Sequence, residues 1–197
     1  MARPNQARLD LRALRHNVGV VRRLAPRAKI MAVVKANAYG IEEALELRYA
    51  GIATPILLLE GVFEPGELQQ AAQLDLWLTI DNEHQLRWLE EATLPAPITC
   101  WLKVDTGMNR LGVTPGSAPL FFQRLLASSN VRNEIVTCTH FASADDVMNQ
   151  QTEQQLAKFD ALPFPTLRSA ANSAGVIGWP QAHYDWVRPG YMLFGNS

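Results

Sequence analysis

Five stretches of this 197-residue chain end in side chains that can hold an anion or move a proton. The first is an apolar run over residues 30–34 that closes on Lys35, followed by Ala36-Asn37-Ala38-Tyr39-Gly40. Five apolar residues, two of them β-branched neighbours, spell a strand buried on both faces. A lysine after such a run carries its amine to the carboxyl end of the strand. In parallel α/β folds that is the end where chemistry collects. The plainer alternative is a lysine whose stem is covered and whose head reaches water.

The second stretch, over 98–104, runs into Asp105-Thr106-Gly107-Met108-Asn109-Arg110-Leu111-Gly112. It presents Lys103, Arg110 and a carboxylate around a glycine turn, which is equally the make-up of a strand-end salt-bridge cluster. The third, over 135–139, gives Thr139-His140-Phe141-Ala142 and then Asp145-Asp146. A single histidine there reads as a core histidine or as a catalytic one, and a metal would need more ligands close by. The last two end in Asn172-Ser173-Ala174-Gly175 and in Arg188-Pro189-Gly190-Tyr191. Barrels build phosphate sites from the loops after their final two strands, where backbone N–H groups and a hydroxyl meet a dianion. A phosphate tail held there shares a mouth with Lys35, and Arg188 lies near the ring of any cofactor spanning the gap. A Schiff-base lysine, a phosphate cup and a residue aimed at a pyridine nitrogen are the parts that pyridoxal 5'-phosphate (PLP) requires.

The elements between these stretches must bring them together. Asp10 caps a helix with Leu11, Leu14, Val18 and Val21 on one face, and Pro26 ends it. Further helices fall at 41–50 (stopped by Gly51), around 67–73, after a cap at Asp81, around 120–126, and after a Thr152–Gln155 capping box. Strands fall at 30–34, 55–59, 76–80, 98–104, 135–139, 167–171 and, interrupted by Pro189-Gly190, 187–194. Alternating strands and amphipathic helices indicate a parallel sheet with right-handed crossovers. No Gly-x-Gly-x-x-Gly follows a strand, which argues against a dinucleotide fold. The expected architecture is a TIM-type (β/α) barrel over residues 1–197, a single domain with seven strands. The shortfall from eight falls where Gly40 runs directly into the helix at Ile41.

Composition narrows the class. With 48% hydrophobic and 19% charged residues the chain has a globular make-up, and its net charge of -1 gives no reason to expect nucleic acid or an anionic membrane as partner. No apolar run approaches the roughly 18 residues of a membrane helix. The polar start over 1–8 has no apolar signal region. Cys100 and Cys138 sit in apolar runs and read as buried reduced thiols of a cytoplasmic protein.

Residues 7–195 resemble the N-terminal barrel of the alanine racemases, fold-type III PLP enzymes. The resemblance is carried in order by VVKANAYG, LRYAGI followed by PILLLEG, LKVDTGMNRLG, THFASADD, ANSAG and WVRPGYMLFG. It implies that Lys35 forms the Schiff base with PLP and serves as one of two bases. Tyr39, Asn172, Ser173, Gly190 and Tyr191 match positions of the phosphate site. Arg188 matches the arginine on the pyridine nitrogen, His140 its hydrogen-bonded neighbour, and Arg110 the arginine near the phenolic oxygen. Lys103 matches a lysine that many members carry carbamylated. The implied activity is interconversion of L- and D-alanine by a cytoplasmic homodimer, supplying D-alanine for peptidoglycan.

Two departures shape the expectation. Family members continue beyond Gly195-Asn196-Ser197 into a β-rich domain, and none of Tyr39, Tyr49, Tyr184 and Tyr191 matches the opposite base that this domain supplies from the partner subunit. The family also has His-Gly, a helix and a strand after its Tyr-Gly. That unit, on the order of 30 residues, is missing after Gly40. The expectation is a truncated barrel with an internal deletion, inverting alanine poorly alone. The alternatives are a single-domain PLP-homeostasis protein and a barrel that no longer binds cofactor.

Overall fold

The computed structural model describes residues 10–34 and 40–195. Helix α1 (Leu11–Leu24) starts where expected, Asp10 accepting hydrogen bonds from the N–H groups of Arg12 (2.8 Å) and Ala13 (3.3 Å). It buries Val21, and Asn17 ties it to the far end of the chain by donating to the Leu193 carbonyl at 3.0 Å. Strand β1 (Lys29–Ile30) is shorter than the expected 30–34, because it has a partner on one side only. Its ladder nevertheless continues: Met31 N–H donates to Val187 and Val33 N–H to Pro189, both at 2.9 Å.

After residue 40 the units alternate as expected. In order they are α2 (Ile41–Tyr49), β2 (Ile56–Leu58), α3 (Glu67–Gln73), β3 (Leu76–Ile80), α4 (Glu83–Glu91), β4 (Cys100–Lys103), α5 (Ala118–Ala127), β5 (Val136–Cys138), α6 (Gln151–Asp160), β6 (Leu167–Ser169), α7 (Ser173–Gly178) and β7 (Trp186–Val187). Gly51 closes α2 at φ +84°, a conformation open to glycine at little cost.

Four local expectations are corrected. Asn82, not Asp81, caps α4, its side chain accepting from Gln85 N–H at 3.1 Å. The Thr152–Gln155 pair forms no capping box, since α6 begins before it and Gln155 bonds to other elements. Residues 173–178, read as loop, form α7, because Asn172 supplies a cap to Gly175 N–H at 2.9 Å. The last strand stops at Val187, and residues 191–194 form a 3-10 turn, because Pro189 has no N–H to extend a ladder.

All seven strands are parallel, in the order β1-β7-β6-β5-β4-β3-β2. First and last strands are neighbours, which is how a barrel closes, yet β1 and β2 do not pair. An open seam thus stands where the sequence lacks a unit. The arc is a TIM-type barrel that is incomplete by one βα unit.

Alternation along the strands sorts two cores. Leu78, Ile80 and Leu102 face the helices, within the larger cluster. Trp101, Val136, Cys138 and Trp186 face inward, joined by Met31, Leu57, Trp77 and Leu167. Trp77 on β3 meets Trp186 on β7 edge-on, with ring centroids 5.8 Å apart. Strands four positions apart in a flat sheet lie about 19 Å apart, so this contact requires the sheet to curl. Cys100 and Cys138 are free and buried, and burial pushes the Cys100 thiol up to about 12. No helix among the described residues is long and apolar enough to cross a membrane.

Candidate active site

The alternation that fills the interior with tryptophan puts basic side chains one layer above it. Lys103 follows Trp101 by two residues, Arg188 follows Trp186 by two, and His140 follows Cys138 by two. All of them line one cavity of about 880 Å³ at the carboxyl ends of the strands, together with Arg110, Asn172, Ser173, Gly190 and Tyr191. The expected gathering of Arg110, His140, Ser173 and Arg188 in one mouth is therefore present. Lys35 and Tyr39 lie outside the described residues. Val33, two positions before Lys35, lines the cavity.

Arg188 is the most deeply set of these groups, 4% exposed. Its guanidinium donates to Ser169 Oγ at 2.5 Å, to the Ala170 carbonyl at 3.4 Å and to the Thr139 carbonyl. Among the described residues no carboxylate pairs with it. Burial holds its pKa below the ordinary arginine value, and the Cys138 thiol beside it acts in the opposite sense.

Lys103 stands across the cavity, its Nζ donating to the Leu111 carbonyl at 3.1 Å. Burial lowers its pKa, Arg188 and Arg110 add to the shift, and Cys138 and Asp105 oppose it. The loop carrying Arg110 is closed at its base: Asp105 N–H donates to Val113 at 2.8 Å and Val113 N–H to Lys103 at 3.0 Å. Asp105 Oδ1 gathers the N–H groups of Gly107, Met108 and Asn109 at 2.9, 2.9 and 3.1 Å. Gly112 is required there, because at φ +119° an added Cβ would lie 2.9 Å from Asp105 N.

On the opposite wall, Ser173 Oγ accepts from Gly190 N–H and Met192 N–H, each at 3.1 Å. Its own O–H proton is left to donate. An added Cβ at Gly190 would meet Val33 at 3.2 Å, so the chain there lies close against the segment that leads to Lys35.

Sequence reading missed several cavity residues. Glu60 and Leu59 line it from the end of β2, and Cys138, taken as a structural thiol, faces it. Inward alternation with His140 was the signal available for Cys138. Burial raises its pKa, with Arg188 and Lys103 pulling the other way. Asp145 from the THFASADD stretch also lines the cavity. Among the described residues no group of three potential metal ligands assembles.

The residues fit an anionic cofactor. A deeply buried arginine without a carboxylate partner, two further cations and a hydroxyl set among backbone N–H groups converge on one cavity. That donor set suits a flat ring bearing a dianionic phosphate.

Comparison with known proteins identifies the family of the chain. The biosynthetic alanine racemase of Escherichia coli K12 is 45% identical over 211 aligned residues, covering 96% of this chain. Those aligned positions outnumber the 197 residues here, so the relative holds positions that this chain does not. The crystal structure of biosynthetic alanine racemase from Pseudomonas aeruginosa superposes with a TM-score of 0.89 at 41% identity, covering 96% of this chain and 59% of that one. Alanine racemase from Acinetobacter baumannii gives 0.80 at 32% identity, covering 96% of this chain and 63% of that one. The chain spans 59% of the length of the E. coli relative. The family model described as "Alanine racemase, N-terminal domain" matches residues 9–42 and 41–197, two stretches that meet beside the open seam. With that model running over nearly the whole sequence, the chain belongs to the alanine racemase N-terminal domain family.

Proposed function

We propose that this chain is the cofactor-binding barrel of a PLP-dependent racemase acting on alanine, in the biosynthetic role of supplying D-alanine. The observation that carries the reading is the convergence of Arg188, Lys103, Arg110 and His140 on one cavity with Ser173. PLP, when bound through a lysine, withdraws electrons from the α-carbon of an amino acid and so lowers the barrier to losing its proton.

The chain's own residues divide the remaining work. Lys35 is the covalent anchor and the base for one face of the α-carbon. Ser173, with Asn172, Gly190 and Tyr191 on the same cavity, would hold the phosphate, and the family resemblance adds Tyr39 to that role. Arg188 is the residue that would face the ring nitrogen. A guanidinium holds its proton far more tightly than a pyridine nitrogen does, so there it would donate a hydrogen bond without giving up the proton, and return of a proton to the α-carbon would be favoured over transamination. Arg110 is the residue that would meet the phenolic oxygen, and His140, on the same cavity, is assigned by the resemblance as the hydrogen-bonded neighbour of Arg188. Burial and the neighbouring guanidiniums make Lys103 easier to deprotonate than an ordinary lysine; its deprotonated amine is the form that carbon dioxide can carbamylate, and the resulting anion would orient Arg110.

Racemisation needs a second base on the opposite face. Among the described tyrosines only Tyr191 lines the cavity, since Tyr184 donates to Asp160 at 2.8 Å and Tyr49 is 82% exposed on α2. Tyr191 is assigned to the phosphate, and by resemblance to the family the second base would come from a partner subunit in a homodimer.

The test is to load the chain with PLP, reduce with borohydride and map the labelled peptide. The label is expected on Lys35, and Lys35→Ala is expected to abolish it. A label on another lysine overturns the assignment. In heavy water the loaded chain should exchange the α-hydrogen of one alanine enantiomer, with inversion slower by a factor of about 100 to 10,000. Inversion at a rate equal to exchange would place both bases within these residues.

A further inference from the structure

We infer that Gln155 is a positioning residue of this cavity, holding the loops that carry Arg110 and His140 in one register from the helix behind them. The inference rests on the reading of the cavity as the cofactor site. The residue is 1% exposed on α6, and its side chain serves elements other than its own helix. Its Oε1 accepts from Ala142 N–H at 2.9 Å. Its Nε2 donates to the His140 carbonyl at 2.9 Å and to Thr106 Oγ1 at 3.3 Å. The same amide therefore grips the loop after β5 twice and the loop after β4 once.

The surroundings extend the tie. Thr106 Oγ1 lies 2.8 Å from Thr139 Oγ1, so the two loops also share a hydroxyl bond directly. The Thr139 carbonyl accepts from Arg188. One turn earlier on α6, Gln151 donates to the Gly107 carbonyl at 3.2 Å and accepts from Ser143 Oγ at 2.7 Å. Gly107 sits at φ +140°, and an added Cβ there would lie 3.5 Å from Gln155 Cγ, so the Arg110 loop passes directly over this side chain. A continuous hydrogen-bonded path thus joins the ends of β4, β5 and β7, with Thr106, Thr139 and Gln155 each 1% exposed.

Packing alone does not call for an amide at this position, which an apolar side chain of similar size would fill. A buried amide is favourable only when its partners are all in place. The partners here are two loops whose relative height sets where Arg110 and His140 meet a ligand. Each loop has closing bonds of its own, so loss of the tie shifts one against the other without unfolding either.

The test compares Gln155→Leu, which removes the three bonds that this side chain makes, with Gln155→Glu, which keeps the acceptor for Ala142 N–H and removes the donor. Three quantities are read: amide exchange at Ala142 and Gly107, PLP affinity from the visible band of the Lys35 adduct, and Tm. Gln155→Leu is expected to speed exchange at both amides and weaken PLP about tenfold or more. A control such as Leu89→Val, in the core of α4, is expected to lower Tm and leave both amides and PLP affinity unchanged. For Gln155→Glu, PLP affinity relative to the unsubstituted chain is expected to recover as pH falls, when the introduced carboxyl gains a proton to donate. A merely structural role would lower Tm alone and give a ratio flat with pH. That result, or an effect at Ala142 without one at Gly107, overturns the inference. If the unsubstituted chain takes up no PLP, the cofactor reading fails instead, and the exchange data still decide whether the tie exists.

Discussion

The arc from β3 to β7 and the seam between β1 and β2 are built from the same kinds of unit and reach different ends. Along the arc each strand has a partner on both sides, and helix-borne amides cross-tie the loops above. Gln155 does this at β4 and β5. Gln85, 4% exposed on α4, does it at β2 and β3, accepting from Asp81 N–H at 3.0 Å and donating to the Glu60 carbonyl at 2.7 Å. At the seam, among the described residues, β1 bonds only to β7, β2 bonds only to β3, and no ladder crosses between them. The cavity wall passes from Val33 to Leu59 and Glu60 across that opening. Lys103, His140 and Arg188 stand at the ends of arc strands, while Val33, Leu59 and Glu60 line the cavity from the two strands that flank the seam.

Hydrogen exchange gives the largest expected contrast. In a parallel ladder alternate N–H groups point to opposite sides. Met31 and Val33 donate to β7 and its extension, while Ile30 and Ala32 point into the seam. The Met31 and Val33 amides should exchange only through opening of the sheet, and the Ile30 and Ala32 amides almost freely, a difference of up to several kcal/mol. Equal protection of all four would mean that something pairs with the seam.

Core truncation gives the next contrast. Leu102, fully buried on β4, should lose about 2 to 5 kcal/mol as Leu102→Ala in denaturant unfolding. Leu57 on the seam strand β2 is only partly buried, and Leu57→Ala should cost less than half as much. Comparable losses would show that the seam is packed as tightly as the arc.

The smallest contrast lies in pH. Burial would raise Asp105, but three backbone N–H groups and Lys103 outweigh it and hold its pKa below 3.8. Its folded value lies under its unfolded one, so its contribution is present at neutral pH and is lost as pH falls through the folded value. Asp81 runs the other way: burial raises it above 3.8, with Asn82 and Lys103 opposing. Its ionisation costs stability at neutral pH, and that cost disappears as pH falls through the raised value. Asp105→Asn should destabilise and Asp81→Asn stabilise at pH 7, each by about 1 kcal/mol or less, and both differences should vanish in acid. Shifts of the same sign would overturn the account of one carboxylate.

Much of this was legible in the sequence because it is local. The strand ends at Lys103, His140 and Arg188 and the direct passage from Gly40 to Ile41 are chain-adjacent features. Period-two alternation and parallel connection rules convert such features into a common mouth and a missing unit. Of the boundaries that failed, those at Asp81 and at 173–178 turn on a neighbouring asparagine that caps three residues ahead, whereas Thr152–Gln155 failed because the partners of Gln155 are distant in sequence. Gln155 has the composition of a capping residue, but its bonds go to residues 13 to 49 positions away. Sequence alone determined which residues could do chemistry and at which end of the sheet they stand. Tertiary structure decided that the sheet curls until Trp77 meets Trp186, which gathers the cations onto one cavity. It also decided that Arg188 is buried among carbonyls and hydroxyls, and that two loops share one glutamine. Those outcomes depend on contacts between residues far apart along the chain, and no spacing within the sequence encodes them.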